Sequence, residues 1–318
     1  MPLARGRYAP SPTGYLHLGN ASTALLAWLS VRAQGGRFVM RMEDLDSGRV
    51  REGLDRSILD DLAWLGLDWD EGPDLGGPHA PYGQSGRGAL YDRAFRTLTA
   101  SARAYPCFCT RGDIAGAASA PQTPGDEVRY PGTCRGLDAK EVEDRLRAGR
   151  KPAWRFRVDP DHVPAFVDRV RGPWGAGEPP PGDFVIRRRD GVAAYQLAVV
   201  VDDAAMEITE VVRGDDLLPS TVRQLILFES LGHPPPTFAH VPLLLGPDGA
   251  RLSKRHAGVT LRELRDAGMT ASEVVGRLAC LLGLRKSPER VRARDLIDGF
   301  SLASVAVAPD GIPVDRSS

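Results

Sequence analysis

Two short strings near opposite ends of the chain carry residue types that a nucleoside triphosphate needs. Residues 7–20 read RYAPSPTGYLHLGN. A strand-like start at Arg5–Ala9 is broken by Pro10, Pro12 and Gly14, and a helical pattern opens near His17. A loop that leaves a strand and enters a helix N-terminus offers unpaired backbone N–H groups and the positive end of the helix dipole, which together suit phosphate. His17 and Asn20 fall on the first turn, where their side chains can donate to a phosphoryl oxygen or a ribose. Residues 249–256 read GARLSKRH, with Lys254 between polar neighbours. A lysine on such a loop can move onto a triphosphate as negative charge develops in a transition state. Taken alone, HLGN fits a plain strand–loop–helix connection and SKRH fits a basic surface loop.

A third group is metal-like. Three of the four cysteines cluster at 107, 109 and 134. Zinc favours four ligands in a tetrahedron, and no histidine lies near these thiolates in sequence. A water or an acidic residue such as Asp113 would complete the set. The alternative is three reduced, packed cysteines without metal. The C-x-C spacing with a third cysteine favours one structural zinc. Cys280, at helical spacing in VVGRLACLLGL, reads as core.

The elements that must position these groups follow from pattern. After the helix at ALLAWLSVRA, Gly35–Gly36 ends it, and RFVMRME is a nearly continuous apolar strand. A helix follows over Val50–Leu65. Strand, loop, helix and strand in this order form a βαβ unit, the opening of a Rossmann-type doubly wound parallel sheet in an α/β fold. Residues 72–88 form a Gly/Pro-rich loop, and Ala89–Ala102 is helical. Residues 105–181, irregular and cysteine-bearing, read as an insertion, closed by the rigid stretch EPPPG. The catalytic domain is then 1–104 plus 182–256. From 184 onward FVIRRRDGVAAYQLAVVVDDAAMEITEVVRGDD reads as strand-like, with a hairpin turn at Asp190–Gly191. A helix over Ser220–Leu231, the apolar run HVPLLLG and helices at 260–267 and 271–283 complete the pattern. Residues 257–300 form a short helical region, and 301–318 read as a disordered tail.

Composition narrows the class. The chain has 318 residues, 42% hydrophobic and 26% charged, as an ordinary globular protein does. Lys plus Arg equals Asp plus Glu at 41 each, so a nucleic-acid partner must be met by a local basic patch. Arg187–Arg188–Arg189 and the stretch Arg285–Arg294 are the candidates, although solvated surface charge is the plainer reading of each. No segment approaches the roughly 18 apolar residues that span a bilayer, and the N-terminus lacks the apolar core of a signal peptide. The expected location is the cytoplasm, and the expected state is a monomer.

With these strings in place, the chain resembles the class I aminoacyl-tRNA synthetases. RYAPSPTGYLHLGN has the form of their HIGH signature, and RLSKRH that of their KMSKS loop. RMEDLD at 41–46, CFC at 107–109 and AYQLAVVVDDAAMEITEVVRGDDLLPSTVRQ are similar to the glutamyl branch, and more narrowly to its truncated glutamyl-queuosine subgroup, over about residues 5–285. Two positions depart from the generic signatures: Asn20 stands where histidine is usual, and Arg251 where lysine is usual.

The resemblance implies a site for L-glutamate made of Arg7, Tyr8, Ala9, Pro10, Ser11, Glu43, Tyr195 and Arg213. Physical sense can be made of it. The substrate ammonium wants an acid, which Glu43 at a strand end supplies. The side-chain carboxylate wants a fork of donors, which Arg7 or Arg213 provides. Tyr195 adds a hydroxyl and a ring wall. ATP, with Mg²⁺, would be held by His17, Gly19, Asn20 and Lys254, with His17 and Lys254 catalytic. Tyr130 matches a tyrosine zinc ligand of the subgroup. The implied acceptor is the queuosine base at the wobble position of tRNA(Asp), with no anticodon-binding domain, because only about 60 residues follow the lysine loop and a domain usually needs 100 or more. Two rivals stand beside it: a synthetase-like enzyme that charges a tRNA 3′ end, and a non-catalytic amino-acid-binding protein.

Overall fold

The computed structural model describes residues 3–117, 129–246, 249, 252, 259–308 and 310–314. In chain order the first half contains β1 (Arg5–Tyr8), α1 (Leu18–Ala33), β2 (Arg37–Met40), α2 (Leu54–Trp64), α3 (Gly88–Ala100), β3 (Ala104–Cys107), α4 (Arg111–Ala117) and α5 (Ala139–Arg147). Then come β4 (Ala153–Phe156), β5 (Phe166–Asp168), β6 (Gly172–Trp174), β7 (Phe184–Arg187), α6 (Tyr195–Ala205), β8 (Glu210–Gly214) and α7 (Leu218–Leu231). The last elements are β9 (Thr237–Val241), β10 (Leu244–Leu245), α8 (Leu261–Asp266), α9 (Ala271–Leu281) and β11 (Ile312–Pro313).

The central sheet has the order β2-β1-β8-β9, and every pair in it is parallel. Its strands bury side chains on both faces, and alternation sends successive side chains to opposite cores. Phe38, Met40, Val212, Ala239 and Val241 join Leu25, Leu26 and Leu29 of α1 with Val274 and Leu278 of α9. Val39, Val211 and Phe238 point the other way, into a core with Tyr91, Leu197, Val200 and Ile226 of α3, α6 and α7. This is the α/β architecture with helices on both faces that the opening βαβ unit predicts.

The insertion is built on an antiparallel sheet of order β3-β4-β7 and a hairpin, β5–β6. Two expectations are corrected here. β7, placed by the sequence with the catalytic domain from residue 182, pairs instead with β4. The turn at Asp190–Gly191 does form, with the Arg188 N–H donating to the Val192 carbonyl at 2.8 Å, but AYQLAVVVDDAA after it is helix α6, not strand. A third concerns the end of the chain. Leu302 and Val305 are buried in the main core, and β11 pairs with β10, so 301–308 and 310–314 belong to the folded body.

Candidate functional site

Strand β1 ends at a loop that caps α1, and the cap is where the first string acts. The His17 side chain is the N-cap: Nδ1 accepts from the Asn20 N–H, and Asn20 Oδ1 accepts from the His17 N–H, both at 3.3 Å. Asn20, the departure from the generic signature, thus closes a reciprocal capping box. Because Nδ1 is an acceptor, a neutral His17 ring carries its proton on Nε2, the tautomer that can donate to a ligand. Gly19 lies against that ring, since a Cβ there would sit 3.1 Å from His17 Nδ1 and Cε1.

The loop opens into a cleft of about 1090 Å³ at the C-terminal ends of β1 and β8. Arg7, Tyr8, Ala9, Pro10, Ser11, His17, Gly19, Asn20, Glu43, Tyr195 and Arg213 all line it. These residues come from β1, α1, the segment after β2, the start of α6, and β8, so only the fold brings them together. Arg49 and Arg51, on the segment before α2, also line the cleft and were not singled out by sequence. The signal for them, RVR just after RMEDLD, is too generic to read. Lys254 and Arg251 lie outside the described residues. Their neighbourhood does reach the site: Leu252 lines the cleft, and Thr260 bridges His17 in antiparallel fashion. The Leu261 N–H donates to the Leu16 carbonyl at 2.8 Å, and Arg262 donates to the Tyr15 hydroxyl at 3.1 Å. The residues that follow the second string are therefore joined to the first string at the cleft mouth.

The cleft floor carries unbalanced buried charge. Arg41, fully buried, binds Asp203 at 2.6 Å and Glu43 at 3.3 Å. Asp202 is taken by Arg87 at 2.6 Å. Arg7 is 5% exposed, yet its nearest carboxylate is Asp203 at 3.5 Å, and its Nε has no hydrogen-bond acceptor. Burial of a guanidinium without acceptors is costly, so an anion from outside would be well received there. Glu43 shows the complementary demand. Burial pushes its carboxyl above the usual range, against the pull of Arg41 and Arg7, so a further cation in the cleft would favour its charged form. Arg213 is more committed than the sequence suggests. Nε donates to His240 at 3.0 Å, Nη1 to Gln224 at 2.7 Å, and Nη2 to Thr221 at 2.7 Å and to the Leu217 carbonyl at 3.4 Å. One Nη1 N–H remains for a ligand in the cleft.

The family described as tRNA synthetases class I (E and Q), catalytic domain, matches residues 4–306. The chain belongs to this family. It is 54% identical over 315 residues to a glutamyl-Q tRNA(Asp) synthetase of Symbiobacterium thermophilum, a match that covers 98% of this chain and 96% of that one. A protein of the same name from Nitratidesulfovibrio vulgaris is 50% identical over 98% of this chain and 97% of its own. A glutamate–tRNA ligase of Acidithiobacillus ferrooxidans is 45% identical, but there the match covers only 63% of the ligase. Among solved structures, a glutamate tRNA ligase of Elizabethkingia meningosepticum, in complex with its amino acid, superposes with a TM-score of 0.84 at 31% identity, over 99% of this chain and 68% of that one.

In this class I chain the cysteine cluster is real in space. The sulfurs of Cys107, Cys109 and Cys134 lie within 4.8 Å of one another and could hold a metal ion. The Tyr130 hydroxyl is 3.4 Å from the Cys107 sulfur and 3.8 Å from that of Cys109, and it accepts from the Cys134 N–H at 2.7 Å. Asp113, the acidic alternative, is spent elsewhere: it accepts from the Thr110 N–H at 2.7 Å as a local cap. The Arg187–Arg188–Arg189 patch is also spent. Arg187 pairs with Asp92, Arg188 with Asp190, and Arg189 donates to the carbonyls of Phe108 and Cys109 beside the cluster. Of the three, Arg189 braces the segment that carries Cys109. No helix among the described residues is long and apolar enough to cross a membrane.

Proposed function

We propose that this chain activates glutamate with ATP and transfers it to the queuosine base at the wobble position of tRNA(Asp). The observation that carries the activation half is the cleft: a buried, acceptor-poor Arg7 and a half-buried Glu43, whose charge a cation would favour, share one floor. That pairing suits a zwitterionic ligand with a further carboxylate. In this reading Glu43 takes the substrate ammonium. Arg7 and the spare Nη1 N–H of Arg213 take the side-chain carboxylate, and Tyr195 walls the pocket. The α-carboxylate oxygen attacks the α-phosphorus of ATP, the bond to the β-phosphate oxygen breaks, and pyrophosphate leaves with its electron pair. His17 Nε2–H and the amides of the α1 N-terminus stabilise the charge on the phosphoryl oxygens, and Lys254 acts on the leaving pyrophosphate. A hydroxyl of the modified base then attacks the adenylate carbonyl, forming an ester and releasing AMP.

The acceptor is supported by the near full-length similarity to two glutamyl-Q tRNA(Asp) synthetases, against a match to only part of the glutamate–tRNA ligases. The cysteine cluster would hold one Zn²⁺ through Cys107, Cys109, Cys134 and Tyr130. A zinc–sulfur bond of about 2.3 Å sets tetrahedral edges of about 3.8 Å, near the 3.5 Å between the sulfurs of Cys109 and Cys134. Its role is structural, and the cytoplasm is the compartment that suits its reduced thiols.

The test is direct. Purified protein is given ATP, Mg²⁺, labelled glutamate and tRNA(Asp) with or without queuosine. Pyrophosphate exchange that depends on glutamate but not on tRNA, with label retained on the anticodon of queuosine-bearing tRNA only, is the expected result. Label on the 3′ end would move the reading to the charging enzyme, and absence of exchange would remove the enzyme altogether.

A further inference from the structure

Among the buried titratable groups that the mechanism above leaves unused, one stands next to the amino-acid pocket. His240 on β9 is fully buried, and it sits between a residue of the insertion and a residue of the cleft. Its Nδ1 lies 2.6 Å from Asp168 Oδ2, and its backbone N–H reaches both Asp168 oxygens at 3.1 Å. Its Nε2 accepts from Arg213 Nε at 3.0 Å, with the Thr221 hydroxyl at 3.1 Å. Asp168 ends β5 in the insertion, where the Val170 and Arg171 amides also donate to it. Neither Asp168 nor His240 lines the cleft, whereas Arg213 does.

We infer that Asp168 is a positioning residue for the amino-acid pocket, acting through His240 on Arg213, so that the insertion supplies part of the substrate specificity. This rests on the reading that Arg213 meets the glutamate side chain. The logic is one of tautomers. Arginine can only donate, so His240 Nε2 must be bare, and the ring proton must sit on Nδ1. A carboxylate at Nδ1 fixes that state, because it can only accept. Burial also holds His240 below its ordinary pKa, which keeps the ring neutral beside a guanidinium. With Nε committed to His240 and Nη2 to Thr221 and Leu217, the plane of the Arg213 fork is set, and the remaining Nη1 N–H has one direction in which to go. The same hairpin is clamped to the sheet by Arg169–Glu210 and by Arg171–Asp215 at 2.9 Å, so Asp168 is not a loose contact.

The discriminating variant is Asp168→Asn. It is isosteric and keeps an acceptor for the Val170 and Arg171 amides, but it offers an N–H₂ to Nδ1 in place of a lone pair. His240 then favours the opposite tautomer and presents Nε2–H to Arg213. Glutamate-dependent pyrophosphate exchange, with a thermal melt to show folding, is measured for Asp168→Asn, His240→Met, His240→Gln and Arg213→Ala. The glutamate KM is expected to rise about ten- to a hundredfold in Asp168→Asn and His240→Met, as for loss of a hydrogen bond to a charged group. The ATP KM should stay within about twofold, and preference for glutamate over glutamine should fall. His240→Gln, whose amide oxygen can replace Nε2 as acceptor, should recover most of the loss. Unchanged glutamate KM and selectivity in Asp168→Asn and His240→Met, with Arg213→Ala impaired, would overturn this inference while leaving the pocket in place. Unchanged behaviour of Arg213→Ala would overturn both. If Asp168→Asn does not fold, the His240 pair decides, since equal behaviour of the Gln and Met variants also overturns it.

Discussion

Glu43 is a carboxylate whose surroundings disfavour its charge until a ligand arrives. Burial raises its pKa, and Arg41, the cation that hydrogen-bonds it, is shared with Asp203. The sign of the consequence follows. A raised carboxyl pKa means that the empty folded state binds a proton more readily than the unfolded chain. The contribution of Glu43 to the stability of the empty protein is therefore fully present below the ordinary carboxylate range and declines as pH rises through the raised value. Binding of an ammonium runs the other way, because it needs the ionised form. Glutamate affinity, followed by calorimetry across an acid pH series, should fall as pH drops through the raised value. Glu43→Gln should bind more weakly at pH 7 and show a flatter acid limb. A wild-type affinity that does not change with acid would place the ammonium elsewhere. Glu43, Arg7 and His17 are legible in the sequence because each sits in a contiguous string whose order is specific. Asp168, His240 and Arg213 are not legible as a unit. They lie far apart in the chain, and a lone buried histidine reads as core until its two neighbours are seen.

At the scale of elements, the chain shows where local pattern decides and where packing overrides it. The helices α1 and α7 fall within two residues of their sequence limits, because apolar spacing, the histidine cap and Gly232 agree. Helix α6 goes the other way. Three consecutive valines favour a strand, but Leu197–Asp203 are all buried and are packed by α7 on one side and α3 on the other. Tertiary burial outweighs a propensity difference worth a few tenths of a kcal/mol per residue. In the insertion, three thiols and a phenol are gathered over residues joined by little apolar surface, with Phe108 and Tyr105 the main neighbours. Metal-binding energy should then be folding energy. Metal analysis should find one zinc per chain in wild type and less than a tenth of that in a Cys107→Ser, Cys134→Ser variant. Chelation should open the insertion to protease while the parallel sheet stays protected. Zinc content that is unaffected by the double substitution would remove the assignment.

On the scale of the whole molecule, the cleft depends on a segment that looks dispensable. The weak pattern after residue 300 suggests a frayed end, yet two of its apolar residues are placed where they count. Leu302 and Val305 are buried in the core that also holds α1 and α9. The Ala306 N–H donates to the Leu282 carbonyl at 3.0 Å, and β11 adds a parallel partner to β10, with Ile312 opposite Leu244. Leu244 itself lines the cleft, and its carbonyl accepts from the Leu252 N–H at 3.2 Å. The end of the chain thus supports the strand from which the lysine loop departs. Full burial of an aliphatic side chain contributes about 1.5–3 kcal/mol, so loss of Leu302 and Val305 together should cost about 3–6 kcal/mol, a large share of a typical stability of about 5–15 kcal/mol. Deletion of residues 301–318 should therefore lower the urea midpoint markedly. The paired substitution of Ile312 and Pro313 by glycine, which leaves Leu302 and Val305 in place, should lower it little. That pair should instead weaken ATP use, raising the ATP KM more than the glutamate KM, because β10 leads to the triphosphate side of the cleft and not to Glu43. Equal effects on the two substrates, or none, would show that β11 does no more than cover an edge.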